Sequence, residues 1–393
     1  MTLGFSLLIN ICLGFTYTWS VFVASLTEHL GSGITEVTFT YTIATLMFTV
    51  MTVAGGRIQD RFGPVMAIRI GALLFGGGLV LCGFTSSLAW LYFFYGIVVN
   101  GGIGMAYCAV LMNINNFYPQ KRGSVSGLIT ASYGMSAVLF SPIATFLISA
   151  YGVLNTYRIL GIFFFLTLSF SSLFVRKAPS VDVKLADIYD KNANDKTWDQ
   201  MIKTPAFYII FSLMVIGSTA GLMIISQASL IAQNMMGASV TTAAFTLSLI
   251  AGANALGRIL WGFISDKTGR NTSTHLIFLI AASMMLGLSF ISRGQYTLFT
   301  VITMLIAFCY GGVIGTFPAI ITEYFGAKNN GTNYGLILLG AGVGSFIGPM
   351  TAAWTQTLTP GYYGTAFYIS SALGFIGLIL TFILRKYQYG TSS

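Results

Sequence analysis

Arg258 sits in the run Asn254-Ala-Leu-Gly-Arg258-Ile-Leu-Trp-Gly262, and it is the only side chain charged at neutral pH that lies clearly inside an apolar stretch long enough to cross a bilayer. Burying a guanidinium at that depth costs at least ~2.5 kcal/mol, so something must compensate it. Asp266 lies eight residues further on, at the expected loop, which puts Arg258 roughly 12 Å into the membrane at ~1.5 Å per residue. No Asp or Glu is expected at similar depth: Glu28 and Glu36 fall outside or near the outer end of span two, and Glu323 falls at the cytoplasmic end of span ten. A water-filled cavity in which a substrate carboxylate serves as the transient counter-ion meets the need most simply, because the planar fork of guanidinium donors matches a carboxylate in bidentate geometry. The alternative is a structural arginine satisfied by helix-end carbonyls and water. Asn254 lies one turn earlier on the same face, where it can orient the guanidinium, bond the cargo, or simply hold helices together.

Little else in the chain could do chemistry. The two histidines, His29 and His275, stand near span ends, and Cys12, Cys82, Cys108 and Cys309 are spread at unrelated spacings, so neither a metal site nor a disulfide framework is expected. Runs such as Gly76-Gly77-Gly78 and Gly340-Ala-Gly342-Val-Gly344 follow no strand and read as close-packing surfaces of helices, not phosphate loops. Neither a catalytic constellation nor a cofactor is indicated, and an enzyme or a receptor is the weakest functional class.

The elements that must position Arg258 are legible from composition. Of the 393 residues, 55% are hydrophobic and only 7% charged, with a mean hydropathy of +0.81, which places the chain in a lipid bilayer. Twelve spans are predicted, at 2–24, 36–56, 65–85, 88–112, 123–149, 156–175, 206–233, 240–264, 273–292, 296–321, 331–356 and 363–384. Of the 19 Lys and Arg residues, sixteen fall in alternate loops on one side, two (Arg158 and Arg293) fall on the other, and Arg258 belongs to neither. This asymmetry predicts that the basic side, with both termini, faces the cytoplasm. The net charge of +9 therefore reports topology, and no nucleic-acid partner is expected. Residues 1–177 and 205–393 are expected to form two six-helix halves, joined by a polar linker at 178–204 in which Leu185, Ile188 and Tyr189 recur at helical spacing.

The halves repeat one another. Gly56-Arg-Ile-Gln-Asp60-Arg61-Phe-Gly63 after span two is matched by Gly262-Phe-Ile-Ser-Asp266-Lys267-Thr-Gly269-Arg270 after span eight. Asn116-Phe117-Tyr118 leading to Gly127 and Gly134 is echoed by Glu323-Tyr324-Phe325 leading to Gly335 and Gly342. Duplicated halves of this kind are a transporter architecture. In each loop the acidic residue is expected to cap or pair near a helix end, and the basic residue beside it to reach neighbouring carbonyls, latching one face of the molecule.

These two loops resemble the signature of the major facilitator superfamily, with Pro64 standing where a basic residue is usual in the first copy. The resemblance implies an all-α membrane protein with twelve transmembrane helices in two pseudo-symmetric halves, placed in the plasma (inner) membrane and working as a monomer. A narrower resemblance, to the oxalate/formate antiporter family and its bacterial monocarboxylate-exchanging relatives, rests on Gly14-Phe-Thr-Tyr17-Thr-Trp19-Ser, Asn113-Ile-Asn-Asn-Phe-Tyr-Pro119-Gln-Lys121-Arg122-Gly123, the Asn254–Gly262 run and Asn333-Tyr334-Gly335. It implies a cavity lined by Tyr17, Tyr107, Tyr133 and Tyr310 around Arg258, each tyrosine offering an apolar wall and a hydroxyl. The position of the oxalate carrier's lysine in span eleven corresponds here to Ala341, which argues for a cargo with one carboxylate, not two. The expected activity is secondary transport of a small monocarboxylate by alternating access, with exchange favoured. Proton symport and an uncharged solute or drug are the alternatives, and formate, acetate, lactate and pyruvate stay equally open.

Overall fold

The computed structural model describes residues 1–179, 195–292, 294–358 and 363–389. Most of the expected linker, including the helix read from Leu185, Ile188 and Tyr189, lies outside the described residues, as does Arg293. Among the described residues the regular structure is helical throughout, with no strand.

The first four helices are α1 (Thr2–Leu30), α2 (Ile34–Phe62), α3 (Pro64–Cys82) and α4 (Leu88–Phe117). The next apolar stretch, Pro119–Ser172, is 54 residues long, or roughly 80 Å of helix, too much for one crossing of a ~30 Å core. It turns at Gly152, whose φ of 76° and ψ of 164° leave the helical region. Phe140 and Phe164, equally far along the chain from that glycine, meet with ring centroids 4.9 Å apart. The stretch is therefore a hairpin of α5 (122–151) and α6 (153–172). The second set comprises α7 (Pro205–Asn234), α8 (Val240–Thr268), α9 (Arg270–Leu288), α10 (Tyr296–Phe325), α11 (Asn330–Leu358) and α12 (Gly364–Tyr389).

Several helices overrun their predicted ends on the basic side: α2 continues to Phe62, α8 to Thr268 and α10 to Phe325. Hydropathy senses only the hydrocarbon slab, whereas a helix continues until its backbone is forced out of the α region. Gly63 (φ 90°), Gly269 (φ 87°) and Gly326 (φ 86°) force it out, at a left-handed φ that a side chain would strain. The signature loops are thus not loops over most of their length. Asp60 and Asp266 lie in the last turns of α2 and α8, and the final glycine of each motif is the turn.

Large apolar side chains remain exposed around the perimeter, among them Val138 and Phe146 on α5, Phe170 on α6, Phe346 on α11 and Phe382 on α12. A protein in water does not leave such a girdle open, and here it meets lipid. α4 and α10 are the most enclosed helices. Some buried polar groups pair across helices: Thr16 Oγ1 donates to Asn100 Oδ1 at 2.8 Å and Asn115 Nδ2 to Ser126 Oγ at 2.9 Å.

The first six helices meet the last six most extensively along two seams, α2 against α11 and α5 against α8. Both depend on bare Cα atoms. A Cβ on Gly56 would overlap the Gly331 carbonyl, and Gly262 and Gly123 would each overlap the other's carbonyl in the same way.

Candidate functional site

Arg258 lies on α8 where that helix is wedged between α5 and α10. Gly127 of α5, and Gly311 and Gly315 of α10, pack directly against the backbone around Arg258, and a Cβ at any of them would collide with it. The side chain is only 5% exposed. Its Nε donates to Asn254 Oδ1 at 3.2 Å, one turn back on the same helix, and its Nη1 donates to the Thr130 carbonyl of α5 at 2.6 Å. Asn254 is itself oriented, because its Nδ2 donates to the Ala307 carbonyl of α10 at 3.0 Å. Among the described residues no carboxylate lies within ion-pairing distance of the guanidinium. Neutral oxygens alone satisfy it, and only two of its five N–H groups are spent on Asn254 and Thr130, which leaves donor capacity for an anion.

The four tyrosines predicted to surround Arg258 do gather there. Tyr17, Tyr107 and Tyr310 all interact electrostatically with the guanidinium, and the Tyr17 hydroxyl is within bonding reach of it. Tyr17 and Tyr107 each meet Tyr133 edge-on, with ring centroids 5.3 and 5.2 Å apart. Phe48 of α2 closes the group at 5.4 Å from Tyr107. Tyr310 comes from the other side, its ring laid over Gly221 of α7. Tyr107, Tyr133 and Tyr310 are buried whereas Tyr17 is 42% exposed, so the site opens past Tyr17. Ala341, on α11, is buried.

The signature motifs close the basic end. Asp266 accepts hydrogen bonds from the N–H groups of Gly123 (2.9 Å) and Ser124 (2.7 Å) and from the Ser124 hydroxyl, all in the first turn of α5. Asp60 accepts from Gly331 N–H (3.1 Å), Thr332 N–H (2.8 Å) and the Thr332 hydroxyl (2.7 Å) in the first turn of α11. Free N–H groups and the positive end of a helix dipole favour a carboxylate at both places. Arg61 and Lys267, expected to reach neighbouring carbonyls, instead lie over the rings of Phe62 and Phe263, because a long cationic chain at a helix end can reach water along its own helix. The cation in the latch is Arg270, whose Nη1 pairs with Asp266 at 2.7 Å and Nε with Glu323 at 2.9 Å. At the corresponding places in the first half stand Pro64 and Asn116, so the Asp60 latch has no such network.

Sequence reasoning missed Thr130 and Phe48. A backbone carbonyl carries no residue signature, and a phenylalanine among 32 of them gives no signal of its own.

Residues 4–349 match the family model of the Major Facilitator Superfamily. The chain belongs to that superfamily. This facilitator is 30% identical over 346 residues to the uncharacterised transporter YhjX of Escherichia coli K12, covering 88% of this chain and 85% of the relative. It is 25% identical over 381 residues to the oxalate:formate antiporter of Oxalobacter formigenes, covering 95% and 88%. Among solved structures it is similar to the facilitator FucP in its outward conformation, with a TM-score of 0.75 at 12% identity and 98% of both chains covered. The protein is a multi-pass membrane transporter.

Proposed function

We propose that this facilitator exchanges small monocarboxylate anions across the plasma (inner) membrane by alternating access, with the carboxylate bound at Arg258. One observation carries the reading: a guanidinium buried among Asn254, the Thr130 carbonyl and four tyrosines, with no carboxylate among the described residues within ion-pairing distance of it, at the point where both halves meet. A buried cation so placed stabilises an incoming carboxylate by charge and by paired hydrogen bonds. Asn254 holds the fork in plane. Tyr17, Tyr107, Tyr133 and Tyr310 supply hydroxyls for the oxygens and ring faces for a short carbon chain. With Arg258 as its one cation, the site suits one carboxylate.

Residues 1–177 and 205–393 are the units that rock, and the closed basic end is the cytoplasmic face, as the bias of Lys and Arg to that side supports. Binding shifts the balance between the two orientations only as far as the anion's affinity for them differs.

The test is counterflow in proteoliposomes preloaded with labelled pyruvate or lactate. External carboxylate should accelerate efflux through the wild type and not through Arg258→Gln. Efflux that follows a pH gradient alone would replace exchange with proton symport, and no carboxylate movement at all would return the neutral-solute alternative.

A further inference from the structure

Asn254 travels with Arg258 because both are on α8, whereas the hydrogen bond from Arg258 Nη1 to the Thr130 carbonyl ties this side chain to the backbone of the other half, where the Tyr17 hydroxyl is also within its reach. It lies beyond the Asp266 latch, one helical turn deeper than the Gly262–Gly123 contact. Any movement that opens the basic end must draw α5 away from α8 along this seam and break the bond. Once it is broken, the guanidinium keeps Asn254 but loses an acceptor in surroundings where a charged donor left short of partners is costly. The Thr130 hydroxyl does not compete for the guanidinium, since it turns back to the Gly127 carbonyl at 3.1 Å.

We propose that the Arg258–Thr130 bond is a bolt that holds the empty carrier shut at the basic face and that a bound carboxylate releases by taking over the guanidinium. The release step rests on the reading of Arg258 as the carboxylate site; the bolt itself does not. The consequence is one-sided: a carrier closed at the basic face opens there only when loaded, and an empty one stays bolted until an anion arrives. Binding and gating then reside in one side chain, which needs no additional sensor.

Cys108 of α4 reports the opening. It is buried at the α4–α11 contact with its Sγ 3.4 Å from the Gly331 carbonyl, and parting of the seam uncovers it. The experiment measures N-ethylmaleimide labelling of Cys108 in full-length protein in proteoliposomes free of carboxylates, with Cys12 and Cys82 replaced by alanine. Arg258→Gln should label about tenfold to a hundredfold faster than the parent, the range set by losing a hydrogen bond to a charged group. Cys309, buried on α10, should stay unlabelled and so separates opening from unfolding. Gly134→Leu is a second variant that keeps the arginine: its Cβ would lie 3.7 Å from Nη1, so the larger side chain pushes the guanidinium off the Thr130 carbonyl. Asp266→Asn serves as the reference for a released latch. If Arg258→Gln and Gly134→Leu both label at the parental rate while Asp266→Asn labels faster, the bolt does not exist. Adding formate or pyruvate to the parent should accelerate labelling. Fast substrate-free labelling of both variants without that acceleration would keep the bolt and reject those carboxylates as its release.

Discussion

Asp60 and Asp266 hold the same place in the two halves of a duplicated fold, and each reaches across to the half it does not belong to, Asp60 onto the first turn of α11 and Asp266 onto the first turn of α5. The two latches are unequal. Asp266 also pairs with Arg270, and Arg270 with Glu323, whereas the first half has Pro64 and Asn116 at those places.

Removing charge should therefore cost more at the second latch. Asp266→Asn leaves Arg270 beside Ser265 with one carboxylate instead of two, and a buried cation that loses a partner costs about 1–3 kcal/mol. Thermal unfolding in detergent should show a lower midpoint for Asp266→Asn than for Asp60→Asn. Equal midpoints would mean that Arg270 contributes nothing to closure.

The missing network can be rebuilt. Pro64→Arg together with Asn116→Glu places a cation and a carboxylate beside Asp60 at the positions that Arg270 and Glu323 occupy beside Asp266. Closure at the basic end should strengthen by about 1 kcal/mol. Cys108 labelling would slow and turnover would fall, and either single change alone should give little of the effect.

At the seams, Gly56→Val and Gly262→Val each put a branched side chain into a backbone carbonyl of the opposite half. The expected carriers fold, because each clash lies between halves, but cannot close the basic end. Transport should be lost with the melting midpoint within a few degrees of wild type. A folded variant with normal transport would show that the seam opens wider than its glycines require.

At the site, Arg258→Gln should abolish counterflow, and Arg258→Lys should retain a tenth or less of it, about 1.4 kcal/mol or more, because a point charge cannot serve Asn254, Thr130 and a carboxylate at once. Ala341→Lys adds a second cation from α11, and competition assays should show oxalate gaining on formate by about tenfold or more. No gain would mean that position 341 does not face the anion.

The chain's own order of residues determined the number of spans, the internal repeat and the exceptional standing of Arg258. Each follows from local cost: apolar runs of about 20 residues have no stable alternative to crossing a bilayer, and a cation within one must be accounted for. Asn254 was legible beside Arg258 because helical spacing puts them on one face. The tertiary structure decided the rest. Only it shows that Arg270, not Arg61 or Lys267, enters a latch, that Gly127 brings α5 onto Arg258, and that Thr130 offers its carbonyl from the other half. Those contacts depend on how two packed halves lie against each other, and a backbone carbonyl is present at every residue, so nothing in one-dimensional spacing singles out the one that an arginine 128 positions away will use.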